Sequence, residues 1–581
     1  MYILGISCFY HDASAVLLKD GSVVAAANEE RFTRIKHDPA FPEKAVEFCL
    51  RSQSKTINDV DQVGFYEKPL NKFERVMSQH LQMFPFSYKV FLNSTPSWLK
   101  TKIRILNIIR KKLKYKKNVV FVNHHLAHAA SAFLPSPFKR AAIVTVDGVG
   151  EWYTTTFGTA KQKDIKLQKA IKFPHSLGLL YSTITAYLGF RVNNSEYKVM
   201  GLSAYGQTNR AKNKYYDLLK NVIDLKSDGS YRLDMKYFRY HSTDRMPSKK
   251  LCKLLGGGVR VPESKIQQRH MDIAAALQMI SEDMMFTILN HVHTQTGEKN
   301  LVLAGGVALN SVINGKLLEK TPFEKVWIQP NASDGGTSMG VALHIHANVL
   351  DYKRKYRLKS PYLGPEYSDQ FVENFLKRNK IEFKKFQNTT DLLQTTAKLL
   401  WENKVIAWFQ GRMEWGPRAL GARSILANPL HKEMQAILNK KVKKREEFRP
   451  FAPVVWFDDV NEYFEAGDPV PEPVDFMLQV HTIRKQYQGM FPAIEHVDNT
   501  ARPQTIKREQ NPLYYDLIGE FKKLSGHSIL VNTSFNVRGE PIVCTPADAV
   551  RCILGTEIDY LVINKFLVKR SDNLSIETIN E

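Results

Sequence analysis

The stretch Val122-Asn123-His124-His125-Leu126-Ala127-His128-Ala129-Ala130 sets His124 and His128 four residues apart, among small and apolar neighbours that suit a buried helix. On a helix, positions i and i+4 share one face. That is the spacing at which two imidazoles reach one metal ion. A helical zinc peptidase would carry glutamate directly after the first histidine. His125 stands there instead, so the pair fits a metal site and argues against that peptidase chemistry. Core histidines satisfied by backbone groups share the same spacing, so the pair alone leaves both readings open. Two later stretches favour the metal. Ile143 to Gly150 and Gln329 to Gly336 each close with an aspartate beside glycine, Asp147 and Asp334. Strand ends are where sheet proteins place ligand-binding residues.

A second group of chemistry-bearing residues lies far along the chain. Gly411 to Ser424 is an arginine-studded glycine loop holding Arg418; Lys443, Lys444, Arg445 and Arg449 follow, then Arg502. Last comes Asn532-Thr533-Ser534-Phe535-Asn536-Val537-Arg538. These cations sit among glycine, proline and aromatic residues, unlike a solvated charge run. Planar guanidinium forks bind phosphate and carboxylate through two hydrogen bonds. Structural salt bridges are the competing explanation, but these motifs supply few acids: Glu414, Glu446, Glu447 and Glu540. A third feature is Gly305-Gly306, between the apolar run 300–304 and a helix start at Asn310. Glycine there lets backbone approach a ligand, and a helix N-terminus offers free N–H groups to anions. Many α/β proteins have such a turn. The dense charge of Glu29 to Arg34 is either a bridged structural cluster or part of a site.

The elements that must position these groups read as follows. Residues 3–8 form a strand, 9–14 a turn, and 15–18 and 22–27 two strands joined across Lys19-Asp20-Gly21, a hairpin signal. Residues 41–52 predict a helix, 75–115 a basic helical region, and 119–122 a strand leading into the histidines. The run 141–146 is a strand whose hairpin continues through 154–157, repeating the opening plan. A long helix spans 271–293, and 325–329 is a strand leading to Asp334. Beyond a polar, turn-rich stretch the character changes, with a helix at 390–402 and strands at 405–409 and 451–456.

The chain has 581 residues, 43% hydrophobic and 24% charged, which predicts a globular protein of two or more domains. No apolar run reaches the ~18 residues of a membrane span, and the start shows no basic region or cleavage site of a signal peptide. Cys8, Cys49, Cys252, Cys544 and Cys552 form no Cys-x-x-Cys pair, so a reduced, cytoplasmic protein is expected. The net charge of +24 first suggests nucleic acid. No helix-turn-helix, finger or RNA-binding signature accompanies it, and no nucleic-acid partner is expected. Attraction to anionic substrates or an anionic membrane surface is a further reading of the same charge.

Taken together, His11-Asp12-Ala13-Ser14-Ala15, Asn123 to Ala129, Val146-Asp147-Gly148, Lys198-Val199-Met200-Gly201-Leu202, Gly305 to Asn310 and the late arginine loops resemble the NodU/CmcH-type O-carbamoyltransferases. The resemblance covers nearly the whole chain. It implies an α/β fold: an actin-like ATPase (Kae-like) N-terminal domain with duplicated halves at 1–352, a linker at 353–380, and a YrdC-like α/β domain at 381–581. It implies that carbamoyl phosphate and ATP, with Mg as the nucleotide's companion, meet in the C-terminal domain. There Arg418, Lys443, Arg449, Arg502, Asn532, Ser534, Asn536 and Arg538 would bind them and carbamoyl-adenylate would form. The N-terminal domain would then pass the carbamoyl group to a hydroxyl of a small molecule or glycan precursor. Lys198, Gly201, Gly305, Gly306 and Asn310 would hold the nucleotide. The family's iron site maps onto His124, His128, Asp147 and Asp334, and two histidines with two carboxylates also suit Fe(II) or another divalent metal on coordination grounds. His11, near its ordinary neutral pKa, would accept the hydroxyl proton, with Asp12 the other catalytic residue. The stretches 75–117 and 210–265 carry none of these motifs, and choice of acceptor is expected there. The oligomeric state is open, a homodimer included. The alternative function is a threonylcarbamoyl-type tRNA modification enzyme with both domains fused, which the charge favours and the motif details oppose.

Overall fold

Tyr2–Ser7 (β1) pairs antiparallel with Ser14–Lys19 (β2), whose tight turn at Asp20-Gly21 leads into Ser22–Asn28 (β3). Gln62–Phe65 (β4) and Val119–Phe121 (β5) join β1's other side in parallel, giving the order β3-β2-β1-β4-β5. The plan then recurs. Arg140–Gly150 (β6), Tyr153–Lys161 (β7) and Asp164–Lys172 (β8) form an antiparallel meander. A small hairpin of Ile223–Leu225 (β9) and Tyr231–Leu233 (β10) intervenes. Asn300–Ala304 (β11) and Lys325–Ile328 (β12) then add in parallel to β6, in the order β12-β11-β6-β7-β8. Each half is therefore a hairpin meander whose first strand receives two parallel crossover strands. This is the duplicated actin-like plan that the sequence implied. The computed structural model describes residues 1–97, 101, 103–243, 245–446, 449–571 and 576–579.

The parallel strands are nearly all apolar, as strands covered on both faces must be. Their C-terminal ends carry the polar exceptions. The helix His124–Phe133 follows β5 directly, and Asn123 caps it by accepting a hydrogen bond from the Leu126 N–H. Its alanines allow close packing. Helix Thr337–His344, which begins beyond Asp334, lies against β1 and against the histidine helix. Both approaches are backbone to backbone. A Cβ on Gly5 would stand 2.0 Å from the Ser338 carbonyl oxygen, and one on Gly340 would stand 1.9 Å from that of Ala127. The two helices that carry the candidate ligands are thereby held in one register. The basic region after Glu67 is helical at Pro69–Gln82, Tyr88–Ser97 and Ile105–Leu113; its residues 98–100 and 102 lie outside the described residues.

The later part of the chain is a separate α/β unit on an eight-stranded mixed sheet. Its strands are Lys384–Lys385 (β13), Ile406–Phe409 (β14), Arg423–Ala427 (β15), Ala452–Trp456 (β16), Gln504–Ile506, Ile529–Ser534, Tyr560–Ile563 and Phe566–Lys569. Side chains alternate across it as the two-residue period requires. Ile406 and Trp408 face the helices Thr389–Trp401 and Pro512–Ser525 in one core. Ala407 and Phe409 enter the other core. Contacts assign Met1–Val24 and Pro39–Arg357 to the first unit, and Ala25–Asp38 with Leu358–Glu581 to the second. Within 353–380, where the sequence suggested a linker, helix Asp369–Arg378 buries Val372, Phe375 and Leu376 in the second unit's core. The charged run 29–34 belongs to that unit and is a structural cluster. Arg31 pairs with Glu30 at 3.2 Å and donates to the Gly416 carbonyl; Arg34 donates to the carbonyls of Pro541 and Ile542.

Gly340→Ala is expected to destabilise the first unit by about 1–3 kcal/mol, because one of two packed backbones must shift. Urea unfolding followed by fluorescence of the buried Trp327 measures it, and an unchanged midpoint would show that the two helices part freely.

Candidate functional site

Four buried side chains from three separate stretches meet in the first unit. His124 Nε2 lies 3.3 Å from Asp147 Oδ2 and 3.7 Å from Asp334 Oδ1, and His128 Nε2 lies 3.3 Å from the same Asp334 oxygen. The ligand atoms of all four fall within 4.8 Å of one another. Neither histidine uses its Nδ1, which is buried without a hydrogen-bond partner among the described residues, so each imidazole spends its polar contacts on this cluster. The rest of the local sequence makes the room. Gly150 must lack a side chain, since a Cβ there would stand 1.9 Å from His124 Cδ2. Gly305, at φ +94°, turns its backbone so that the next N–H, on Gly306, donates to Asp147 Oδ1 at 3.0 Å.

The charges are strongly coupled. Burial alone would raise the Asp147 pKa, but His124, His128 and the Gly306 N–H hold it well below the usual carboxylate range. Burial and the neighbouring Asp147 act the same way on Asp334, and His11, His124 and His128 outweigh them, leaving its pKa lowered. Burial works against the His124 cation, and the two aspartates outweigh it, so its pKa is raised. Two imidazoles and two carboxylates, buried and converging, are a donor set that a divalent metal such as Fe(II) fits. Asp334 Oδ2 faces His11 Nε2 at 3.6 Å and has no hydrogen-bond partner among the described residues.

His125, between the pair, is turned away. It bonds Thr145 Oγ1 at 2.7 Å and the Tyr153 carbonyl at 2.9 Å, and burial with the neighbouring His124 drives its pKa to about 3. One helix thus shows both readings of a buried histidine: His125 is the satisfied core residue, while His124 and His128 face carboxylates. His11 Nδ1 sits 2.9 Å from Asp12 Oδ2. The near-neutral pKa expected of His11 is corrected by the structure. Burial lowers it, but Asp334 and Asp12 overcome this and hold it at about 10.

The other residues expected at the first unit's nucleotide site divide. Gly305 and Gly306 adjoin Asp147. Lys198 and Gly201 lie on helix Glu196–Leu202, where Lys198 Nζ is 5.6 Å over the Phe190 ring and a Cβ on Gly201 would meet no atom within 4 Å. That helix touches the start of helix Ser311–Lys320 through Met200 and Ser311. Asn310, however, is taken up by the fold. Its Oδ1 caps that helix by accepting from the Ile313 N–H, and its amide donates to Gln278 Oε1.

In the second unit the expected cations do gather. Charge from Arg418, Arg449 and Arg445, after burial, holds Arg502 well below the ordinary guanidinium range. Burial and the charges of Arg445, Arg449 and Lys36 lower Lys443 in the same way. Lys443 Nζ donates to the Asn536 carbonyl and Oδ1 at 3.0 Å each and to the Ser534 carbonyl, and Ser534 Oγ donates to Asn536 Oδ1 at 2.7 Å. Glu446 stands 3.8 Å from both Arg449 and Arg538; Glu447 lies outside the described residues. Asn532 is interior, donating to Gln504 Oε1 and the Ala419 carbonyl.

The glycine loop sorts its own arginines. Arg412 donates to the carbonyls of Leu363 and Gly364. Arg423 is fully buried, 3.6 Å over the Phe409 ring, and donates to carbonyls of Gln410, Gly411, Ala422 and Pro365. Only Arg418 of the three joins the cationic group. Arg445 and Lys36 also bear on it; the sequence grouped Arg445 with the late cations without assigning it to a substrate, and missed Lys36. Arg445 carried a signal, its place in the basic run 443–449; Lys36 is remote in sequence and carried none.

A family model described as carbamoyltransferase N-terminus matches residues 2–343, and one described as carbamoyltransferase C-terminus matches residues 397–570. The chain is 44% identical over 604 residues to an uncharacterised protein of Synechocystis sp., covering 98% of this chain and 97% of that one. It is 36% identical over 568 residues to nodulation protein NolNO of Sinorhizobium fredii, covering 97% and 79% respectively. Among solved structures, ROK hexokinase from Thermus thermophilus is 13% identical with a TM-score of 0.27, over 59% of this chain and all (100%) of that one. A likeness so faint supports nothing about the site.

The histidine helix supplies its own control. His128→Ala is expected to abolish retention of Fe(II) after anaerobic loading and desalting, measured by metal analysis. His125→Gln should keep the metal and instead lose about 1–3 kcal/mol of stability from unsatisfied Thr145 and Tyr153 groups. Equal metal content in wild type and His128→Ala would reject the ligand assignment.

Proposed function

Since the chain belongs to the carbamoyltransferase family, we propose that it is an O-carbamoyltransferase that activates carbamoyl phosphate with ATP and transfers the carbamoyl group to a hydroxyl. The observation that carries this reading is the presence of two chemically opposed centres on one chain. One is a buried set of histidines and carboxylates; the other is a convergence of cations with few acids. Like charges gathered by a fold call for an anion, and arginine forks suit phosphate groups.

In the second unit, Arg418, Arg449, Arg502 and Arg538 with Lys443 would hold carbamoyl phosphate and the ATP phosphates. Water hydrolyses carbamoyl phosphate, and phosphate departs to leave carbamate. A carbamate oxygen then attacks the α-phosphorus of ATP and pyrophosphate departs, giving carbamoyl-adenylate. Adenylation supplies the leaving group that carbamate lacks. Ser534 and Asn536 fix the Lys443 ammonium in place, so its charge is aimed before the substrates arrive.

In the first unit, an acceptor hydroxyl attacks the carbamoyl carbon, its proton passes to His11 Nε2, and AMP leaves. Asp12 orients the His11 ring through Nδ1. His124, His128, Asp147 and Asp334 would hold Fe(II) or another divalent cation. Such a cation would neutralise charge on the departing nucleotide and compensate the carboxylates that hold His11 protonated. The Gly305-Gly306 turn presents backbone to the same place and would border the nucleotide phosphate.

Two centres predict two kinds of failure. Arg449→Ala should stop pyrophosphate release that depends on carbamoyl phosphate, and with it acceptor carbamoylation. Chemically supplied carbamoyl-adenylate should restore transfer in that variant. His11→Ala should leave pyrophosphate release intact and slow transfer by roughly 10²–10⁴-fold, the usual worth of a general base. Release and transfer are followed together, by a coupled pyrophosphate assay and by mass spectrometry for one added carbamoyl group. Parallel loss of both in His11→Ala would refute its assignment to the transfer step.

A further inference from the structure

Helix Pro69–Gln82 carries two cations into the interior of the first unit, Lys72 and Arg75, 6% and 7% exposed. Lys72 is accounted for. Its Nζ lies 2.6 Å from Glu67 Oε2, itself buried, and 5.1 Å from the centre of the Tyr10 ring. Arg75 is different. Among the described residues it makes no hydrogen bond and no ion pair; its guanidinium lies 4.8 Å over the Phe173 ring, and its buried Nε has no partner. Among the described residues the acid that acts on it is Glu67, and Glu67 is already matched by Lys72. A guanidinium withdrawn from water brings five N–H donors. Leaving buried donors unmade is costly, and buried arginines are ordinarily paired.

This orphan borders the cluster. Tyr10 adjoins His11 in the chain, with ring centres 4.8 Å apart. Tyr66, at the end of β4, has its ring centre 5.5 Å from that of His124, and its fully buried hydroxyl also lacks a hydrogen-bond partner among the described residues. Lys72, three residues before Arg75 on the same helix, reaches the other side of this link, its Nζ 5.1 Å over the Tyr10 ring. Neither Arg75 nor Tyr66 has work in the mechanism above, yet each withholds a donor from the fold beside the reacting groups.

We propose that Arg75 is an oxyanion-binding site near the histidine–carboxylate cluster, taking a phosphate or carboxylate group of a substrate. The fork of the guanidinium matches two oxygens of either group, and Phe173 holds its plane. The identity of that substrate rests on the carbamoyl-transfer reading; the oxyanion site does not. The oxyanion has two sources, the phosphate of the nucleotide donor and an anionic group on the acceptor. In the second case Arg75 selects acceptors that carry negative charge.

The test uses the full chain in an Arg449→Ala background, which weakens anion binding in the second unit. Inorganic phosphate and AMP are titrated by calorimetry, and thermal unfolding is recorded without ligand. Arg75→Met should weaken phosphate binding about tenfold or more, the scale of a lost charge-assisted pair. It should also raise the unfolding midpoint, because an unpaired buried cation has been removed. Arg75→Lys should fold and keep a reduced phosphate response, which separates loss of the site from loss of the fold. Parallel weakening of AMP assigns the oxyanion to the nucleotide; AMP unchanged while phosphate weakens assigns it to the acceptor. A lowered midpoint with phosphate affinity unchanged would overturn the proposal and leave Arg75 a structural cation over Phe173. Because phosphate binding is read without turnover, failure of carbamoyl transfer would not disturb this result.

Discussion

The first unit is arranged around two carboxylates, Asp147 and Asp334, buried within reach of the same histidine nitrogen. Two buried like charges repel, and each lost its water on folding. What makes the pair tolerable is that His11, His124 and His128 face the two carboxylates, together with the Gly306 N–H. The backbone follows from this need. Asp147 lies in β6 just past its parallel pairing with β11, Asp334 lies just before the helix packed on β1 at Gly5, and the histidines ride a helix packed on that same helix at Gly340. Glycine at 150 and 305 clears the space that the imidazole and the turning chain occupy. Each of these positions answers one requirement, that four charged groups converge without backbone collision.

The second unit solves the opposite problem. Its loops bring several guanidinium groups and a buried ammonium together, and the fold itself neutralises only part of that charge. Arg412 and Arg423 show how the scaffold uses the same residue type for its own purposes, donating to backbone carbonyls, Arg412 to Leu363 and Gly364 and Arg423 to Gln410, Gly411, Ala422 and Pro365. Glu414 does the matching work for N–H groups, accepting from the backbone of Leu420, Ala422 and Arg423. The loop is thereby rigid before any anion arrives, which is the condition for electrostatic preorganisation.

Much of the fold and of the cluster was legible in the sequence. The i, i+4 spacing of His124 and His128 and the strand-end positions of Asp147 and Asp334 are local signals, and local signals survive into tertiary structure. The repeated strand–hairpin plan was legible for the same reason. Three things were not. Asn310 reads like a ligand-binding residue, and a helix N-cap has the same sequence appearance. Arg412, Arg418 and Arg423 are alike in sequence, and only the partners of each guanidinium separate scaffold from site. Residues 25–38 join the second unit through contacts nearly four hundred or more positions away, such as Arg31 with Gly416 and Arg34 with Ile542, and composition carries no trace of such pairing. Arg75 was hidden by a lysine-rich surrounding in which one further cation reads as a solvated face.

The central claim is that the four buried ligand groups form one metal centre. Anomalous X-ray scattering at the iron edge, from crystals of the full chain loaded anaerobically with Fe(II), tests it most directly. The account predicts a single strong peak within about 2.0–2.3 Å of His124 Nε2, His128 Nε2 and an oxygen of each of Asp147 and Asp334. Absence of a peak there, with the histidines still paired to the aspartates as ion pairs, would contradict it.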